Sequence, residues 1–269
     1  RKNNPSNLFI IRPKMELVDT HCHIHRADYN LPADEVIASA KEAGVSRMIC
    51  VGTDENDSRQ AIDFVQGKPG LWASIGLHPH DAKLGEAAFS LLAKLIGQPK
   101  VVAIGECGLD YYYSYSSKED QLKALRFQLD LAAEHNLPLI FHIREAFDDF
   151  WPVLDSYDGL KGVVHSFTAG QAELDQILRR GLFVGTNGIM TFSQDKKQLE
   201  AAKSIPLDRL LLETDSPFLT PPPYRGKVNQ PKYTGLIAQF MAKLRQEDVH
   251  ALAEATTANA LKLFGLKDV

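Results

Sequence analysis

Eight short apolar runs, each followed by an amphipathic stretch, fill the chain from Met15 onward and leave few folds open to it. The strand-like runs are residues 16–20, 47–52, 71–77, 101–106, 139–143, 162–166, 182–186 and 209–214, mostly Val, Ile and Leu. Runs that short and that uniformly apolar fit strands covered on both faces, as in a parallel sheet flanked by helices. The helical candidates are 33–43, 57–66, 87–96, 118–134, 146–155, 171–180 and 196–203, with two more at 234–244 and 246–263. Ser117 is placed to cap the fourth helix, and Asn136-Leu137-Pro138 to stop it. Strict alternation of strand and helix builds βα units, and eight of them favour a closed (β/α)8 TIM barrel over an open sheet. No Gly-x-Gly-x-x-Gly follows the first strand, which removes the dinucleotide-binding alternative.

The barrel reading assigns residues 15–269 to one α/β domain and treats 1–14 as a leader, an added or disordered segment. The formal charge is −4, and the four basic residues before Met15 leave −8 on the remainder. An anionic substrate must therefore be held by local cations or by metal, because the global field does not attract it. No apolar run reaches the roughly 20 residues that span a bilayer. Cys22, Cys50 and Cys107 are odd in number and form no Cys-x-x-Cys, which predicts reduced thiols and a cytoplasmic protein.

Chemistry in a barrel of this kind belongs at the C-terminal ends of the strands. Six of the nine histidines stand there: His21 and His23 after strand one, His78 and His80 after strand three, His142 after five and His165 after six. Strand four ends in Glu106, and strand eight leads to Asp215. Side chains two apart on a strand share a face, so His21 and His23 can reach one metal ion while Cys22 turns away. The same periodicity puts Glu213 with Asp215 and Arg144 with His142. His78, next to Pro79 in a loop, is a candidate substrate contact, and Arg144 a candidate clamp for an anionic group unless Glu145 or another acid occupies it. Arg225 and Lys227, in the Pro-rich loop 217–231, are candidate phosphate contacts. Tyr111-Tyr112-Tyr113 is either a stacking platform for bases or a packing element.

Taken together, Asp19-Thr20-His21-Cys22-His23, Gly76-Leu77-His78-Pro79-His80, Gly105-Glu106-Cys107-Gly108-Leu109-Asp110-Tyr111, His142-Ile143-Arg144-Glu145-Ala146, His165-Ser166-Phe167 and Glu213-Thr214-Asp215-Ser216-Pro217 resemble the TatD family of metal-dependent deoxyribonucleases. The resemblance runs in order over residues 15–264. It implies a metallo-dependent hydrolase barrel, a cytoplasmic location and hydrolysis of DNA, single-stranded or at its ends. It further implies two divalent ions per chain, Zn, Mn, Mg or Fe, one held by His21, His23, Glu106 and Asp215 and the other by Glu106, His142 and His165. Tyr113-Ser114-Tyr115 departs from the family, which often carries a basic residue after the aromatic pair.

Four imidazoles with two carboxylates suit Zn, Mn or Fe better than Mg, which favours all-oxygen shells. In such a centre Asp215 is the expected general base. Two rival readings follow. One is a deacylase or amidase of the same superfamily, such as an aminoacyl-tRNA ester hydrolase; Glu106 standing where many such relatives carry a lysine leans against it. The other is a barrel that binds nucleic acid without turnover, which has no use for six metal-binding side chains.

Overall fold

The computed structural model describes residues 15–267. Its eight strands are β1 (Leu17–Cys22), β2 (Val45–Val51), β3 (Leu71–Ile75), β4 (Val101–Asp110), β5 (Leu139–Arg144), β6 (Gly162–Val164), β7 (Phe183–Thr186) and β8 (Leu210–Leu212). They pair in parallel in sequence order, β1 beside β2 through to β7 beside β8. The helices between and after them are α1 (Ala33–Glu42), α2 (Glu55–Val65), α3 (Gly85–Ala93), α4 (Lys118–His135), α5 (Phe147–Leu154), α6 (Gln171–Arg179), α7 (Lys196–Ser204), α8 (Thr234–Arg245) and α9 (Val249–Phe264). This is the (β/α)8 barrel that the alternation predicts. The leader assigned to residues 1–14 lies outside the described residues.

Caps set several helix ends. Asp54 accepts from the Asp57 amide and Ser117 from the Asp120 amide, each taking up a donor that the first helical turn cannot use. Asn136 ends α4 in the left-handed conformation at φ 51°, and Pro138 follows it. The core divides by strand face. Outward side chains such as Cys22, Cys50, Cys107, Phe141 and Leu212 pack under the helices. Inward ones, among them Val18, Ile49, Ala103, Ile140, Val163, Phe183 and Leu211, form a second cluster with Leu263 and Phe264 of α9. Ile140, Val163 and Leu211 stand two residues before His142, His165 and Glu213, so this apolar layer is the floor beneath the polar strand ends. The helix end of α9 seals the barrel from below.

The seam between β8 and β1 closes just past the end of β8. The Asp215 amide donates to the His21 carbonyl at 2.8 Å, and the His23 amide to the Ser216 carbonyl at 2.7 Å. Beneath them the Thr214 amide donates to Asp19 Oδ1 at 2.9 Å. Backbone bonds thus place the first and last groups of the candidate site side by side. All three cysteines are buried free thiols, and among the described residues no helix is long and apolar enough to cross a membrane.

Candidate metal centre

A cleft of about 690 Å³ opens at the C-terminal ends of the strands. Of the predicted site residues, His23, His78, Glu106, His142, Arg144, His165 and Asp215 line it, and His21 lies fully buried beneath. Arg225 does not line it: its guanidinium sits 3.7 Å from the Phe192 ring centre and donates to the Thr220 carbonyl at 2.8 Å.

Donor atoms gather in three overlapping sets, His21/His23/Asp215, His21/Glu106/His165 and His78/Glu106/His142, each within 4.8 Å. Two sets meet at His21 and two at Glu106. The Nε2 atoms of His21 and His23 are 3.2 Å apart, and Asp215 Oδ1 is 3.6 and 3.4 Å from them. Two nitrogens on one tetrahedral ion at ordinary bond lengths stand about 3.4 Å apart, so the spacing fits a shared cation. Glu106 faces both ways, with Oε2 3.3 Å from His21 Nε2 and Oε1 2.9 Å from His142 Nδ1 and 3.1 Å from His165 Nε2.

The far side of two imidazoles is held by groups that only accept. His23 Nδ1 meets the Val51 carbonyl at 2.8 Å, and His142 Nε2 meets Asp110 Oδ2 at 2.9 Å. Each partner draws the N–H to its own side and leaves the other nitrogen's lone pair facing the carboxylates, the orientation a metal-binding histidine needs. Among the described residues, buried His21 Nδ1 and His165 Nδ1 have no hydrogen-bond partner, the latter lying 3.3 Å from Glu213 Oε1. The donor set therefore fits divalent cations.

Charge agrees with geometry. Burial opposes ionisation of Glu106, but His165, His78 and His21 hold its carboxyl well below the usual range, so it is an anion. Burial likewise raises Asp215, and the imidazoles of His23 and His21 outweigh it and lower the carboxyl. Burial works against a proton on His142, yet Asp110 and Glu106 raise its pKa. An imidazole between two carboxylates is where a cation can replace a proton. His78 is held down at about 4 by burial.

Two residues matter more than the sequence reading allowed. Asp110, fully buried, accepts from His142 and His80 on Oδ2 and from the Tyr112 and Tyr113 amides on Oδ1. The signal for it was alternation: Glu106 and Asp110 face the site, while Cys107 and Leu109 pack outward. Glu213 and Asp215 both face the barrel interior, as period two predicts, but they meet different partners. Strand β8 stops at Leu212 and Asp215 takes φ 56°, so Glu213 turns under Ser166, Asn187 and His165 while Asp215 turns to His21 and His23. Arg144 makes no ion pair among the described residues, with Glu145 or any other acid; it stacks on Tyr112 at 3.9 Å.

Beside the cleft, His25 Nε2 and Asp57 Oδ1 pair at 3.0 Å. Burial would raise Asp57, but His25 and the Thr53 hydroxyl hold it at about 2; burial also disfavours charged His25, which Asp57 and Cys50 raise to about 9. Stability from the carboxylate is full above the unfolded value near 3.8 and lost towards 2, while that from the imidazolium is full below 6.5 and lost towards 9. The Tm difference between wild type and Asp57→Asn is therefore expected to be largest between about pH 4 and 6.5 and to shrink on both sides. A difference that is flat from pH 3 to 9 would refute this ion pair.

A closed parallel barrel carrying histidines and acids at one rim defines a metallo-dependent hydrolase. The crystal structure of YJJV, a TatD homolog from Escherichia coli K12, superposes with a TM-score of 0.88 at 28% identity, covering 94% of this chain and 99% of that one. The chain is 38% identical over 251 residues to the uncharacterized metal-dependent hydrolase YabD of Bacillus subtilis, covering 92% of this chain and 98% of YabD. It is 41% identical over 245 residues to the 3'-5' ssDNA/RNA exonuclease TatD of Citrobacter rodentium, covering 87% and 92%. The family model of TatD related DNases matches residues 18–265, and the chain belongs to that family of hydrolases.

Proposed function

We propose that the chain hydrolyses phosphodiester bonds of single-stranded nucleic acid, DNA first, from the 3' end, at a centre of two divalent cations. The observation that carries this is Glu106, whose two oxygens face separate donor sets. His21, His23 and Asp215 would hold one cation, His142 and His165 the other, and Glu106 both. Zn, Mn or Fe suits this nitrogen-rich set better than Mg. When bound, such a pair lowers the pKa of water and offsets the charge of the phosphoryl transition state.

The chain's own groups supply the rest. Asp215 is ionised, reaches the cleft and is aimed by the hydrogen bond its backbone N–H donates to the His21 carbonyl, so it takes the proton of the attacking water. His78, with its nitrogen 3.5 Å from Glu106, lines the cleft as a neutral hydrogen-bonding group for a substrate oxygen. Arg144, which pairs with no carboxylate among the described residues, faces the same space as a cation for the scissile phosphate. The 3'-to-5' direction and the single-stranded preference rest on the exonuclease relatives. Three buried free thiols support a cytoplasmic location.

The test is a 5'-labelled single-stranded oligonucleotide with enzyme stripped by chelator and reloaded with Mn or Zn. Metal-dependent shortening from the 3' end is expected, with duplex cut more slowly. Cleavage of aminoacyl esters or N-acyl substrates alone would favour the deacylase, and DNA binding without turnover or metal would favour the binding barrel.

A further inference from the structure

A second cavity of about 440 Å³ lies against the cleft, and Tyr113 lines both. It is formed by the loop between β4 and α4 together with Lys83. Resting on the nuclease reading above, we infer that the substrate strand leaves the metal centre over Tyr113 and enters this cavity, where Lys83 and Lys118 take a backbone phosphate and Tyr115 stacks a base.

Tyr112, Tyr113 and Tyr115 are 53%, 38% and 56% exposed, three large aromatic rings open to water within four residues. A packing role would have buried them. Tyr113 and Tyr115 lie parallel, 5.4 Å between ring centres at 11°, and both set an edge or face against His80. Rings held in place in this way present π-faces at little ordering cost, and any base can use them.

In a chain this acidic, backbone phosphates need local cations, and the cavity offers two. Lys83 Nζ has a carbonyl partner, Tyr115 O at 3.3 Å. Lys118 Nζ lies 3.9 Å from the Tyr111 ring centre and 4.0 Å from Asp149, a loose pair that a phosphate can outcompete. The carboxylate on the cavity wall, Asp110, is already bonded to two imidazoles and two amides, so it opposes an anion weakly.

The experiment compares wild type with the double variant Lys83→Gln/Lys118→Gln and with Tyr115→Ala. Two substrates are used, a ten-residue oligothymidylate and the small diester bis(p-nitrophenyl) phosphate, which is too short to reach the second cavity. The double variant is expected to lose at least about tenfold in kcat/KM on the oligonucleotide relative to the diester, mostly in KM. Its log–log salt dependence should flatten by about 0.7 per lysine. Tyr115→Ala should weaken oligonucleotide binding roughly tenfold. Fluorescence anisotropy of labelled oligothymidylate repeats the comparison without turnover. Equal binding by all three proteins, or equal losses on both substrates, overturns the cavity assignment. Failure of wild type to cleave either substrate overturns the nuclease reading instead, and anisotropy still decides the cavity.

Discussion

Glu106→Gln is expected to lower phosphodiester hydrolysis by about 10³-fold or more, close to 4 kcal/mol of barrier. The amide keeps the size of the side chain but loses the charge, and its nitrogen cannot bind a cation. In wild type the anion is surrounded by His21, His78, His142 and His165, all within 3.5 Å. Removing it takes away the group that both donor sets share, so metal content should fall together with rate. The fold should survive, because the Glu106 amide is held by the Gly52 carbonyl at 2.9 Å and the apolar floor below it holds no part of its side chain. Assay against a small diester, with metal analysis and a melting curve on the same preparation, checks it. Full activity in the variant would remove Glu106 from the mechanism.

Gly108→Ala is the second large effect, and it acts on the fold. Gly108 pairs with His142 across β4 and β5 at φ 147°, and a Cβ there would stand 1.9 Å from the His142 carbonyl oxygen. That oxygen is backbone, so the strands must part. A loss of about 3 kcal/mol or more is expected, and at roughly 2–4 °C per kcal/mol the Tm should drop by roughly 6–12 °C. Activity should fall in the surviving folded protein as well, because His142 moves with its carbonyl. A Tm within a degree of wild type would show that β4 and β5 do not approach this closely.

Eight apolar runs and their spacing were enough to find the barrel, because strands covered on both faces leave a composition that loops do not imitate. The rim was harder to read where a strand turns polar. The first apolar run stops at Thr20, yet β1 continues through His21 and Cys22, and Cys22 packs outward and pairs with Cys50, as strand alternation predicts. In β4 two glycines and an acid hide four further strand residues, which is why Asp110 was missed as the anchor of His142. At β8 period two holds for the face and not for the partners, because Asp215 leaves the ladder in the left-handed region and turns to His21 and His23 while Glu213 stays beneath His165. Arg225 illustrates a third limit: a loop cation's sequence neighbours do not reveal that its guanidinium will lie on Phe192, outside the cleft.

The exposed tyrosines and the two lysines extend the site beyond the reacting bond, but the account stands or falls at the rim itself. The most direct measurement is metal content per chain for purified wild type and for Glu106→Gln, after saturation with Mn or Zn and removal of loose ions. Two tightly held ions in wild type, with at least one lost in the variant, are predicted. One ion or none in wild type, or an unchanged pair in the variant, would contradict a centre joined through Glu106.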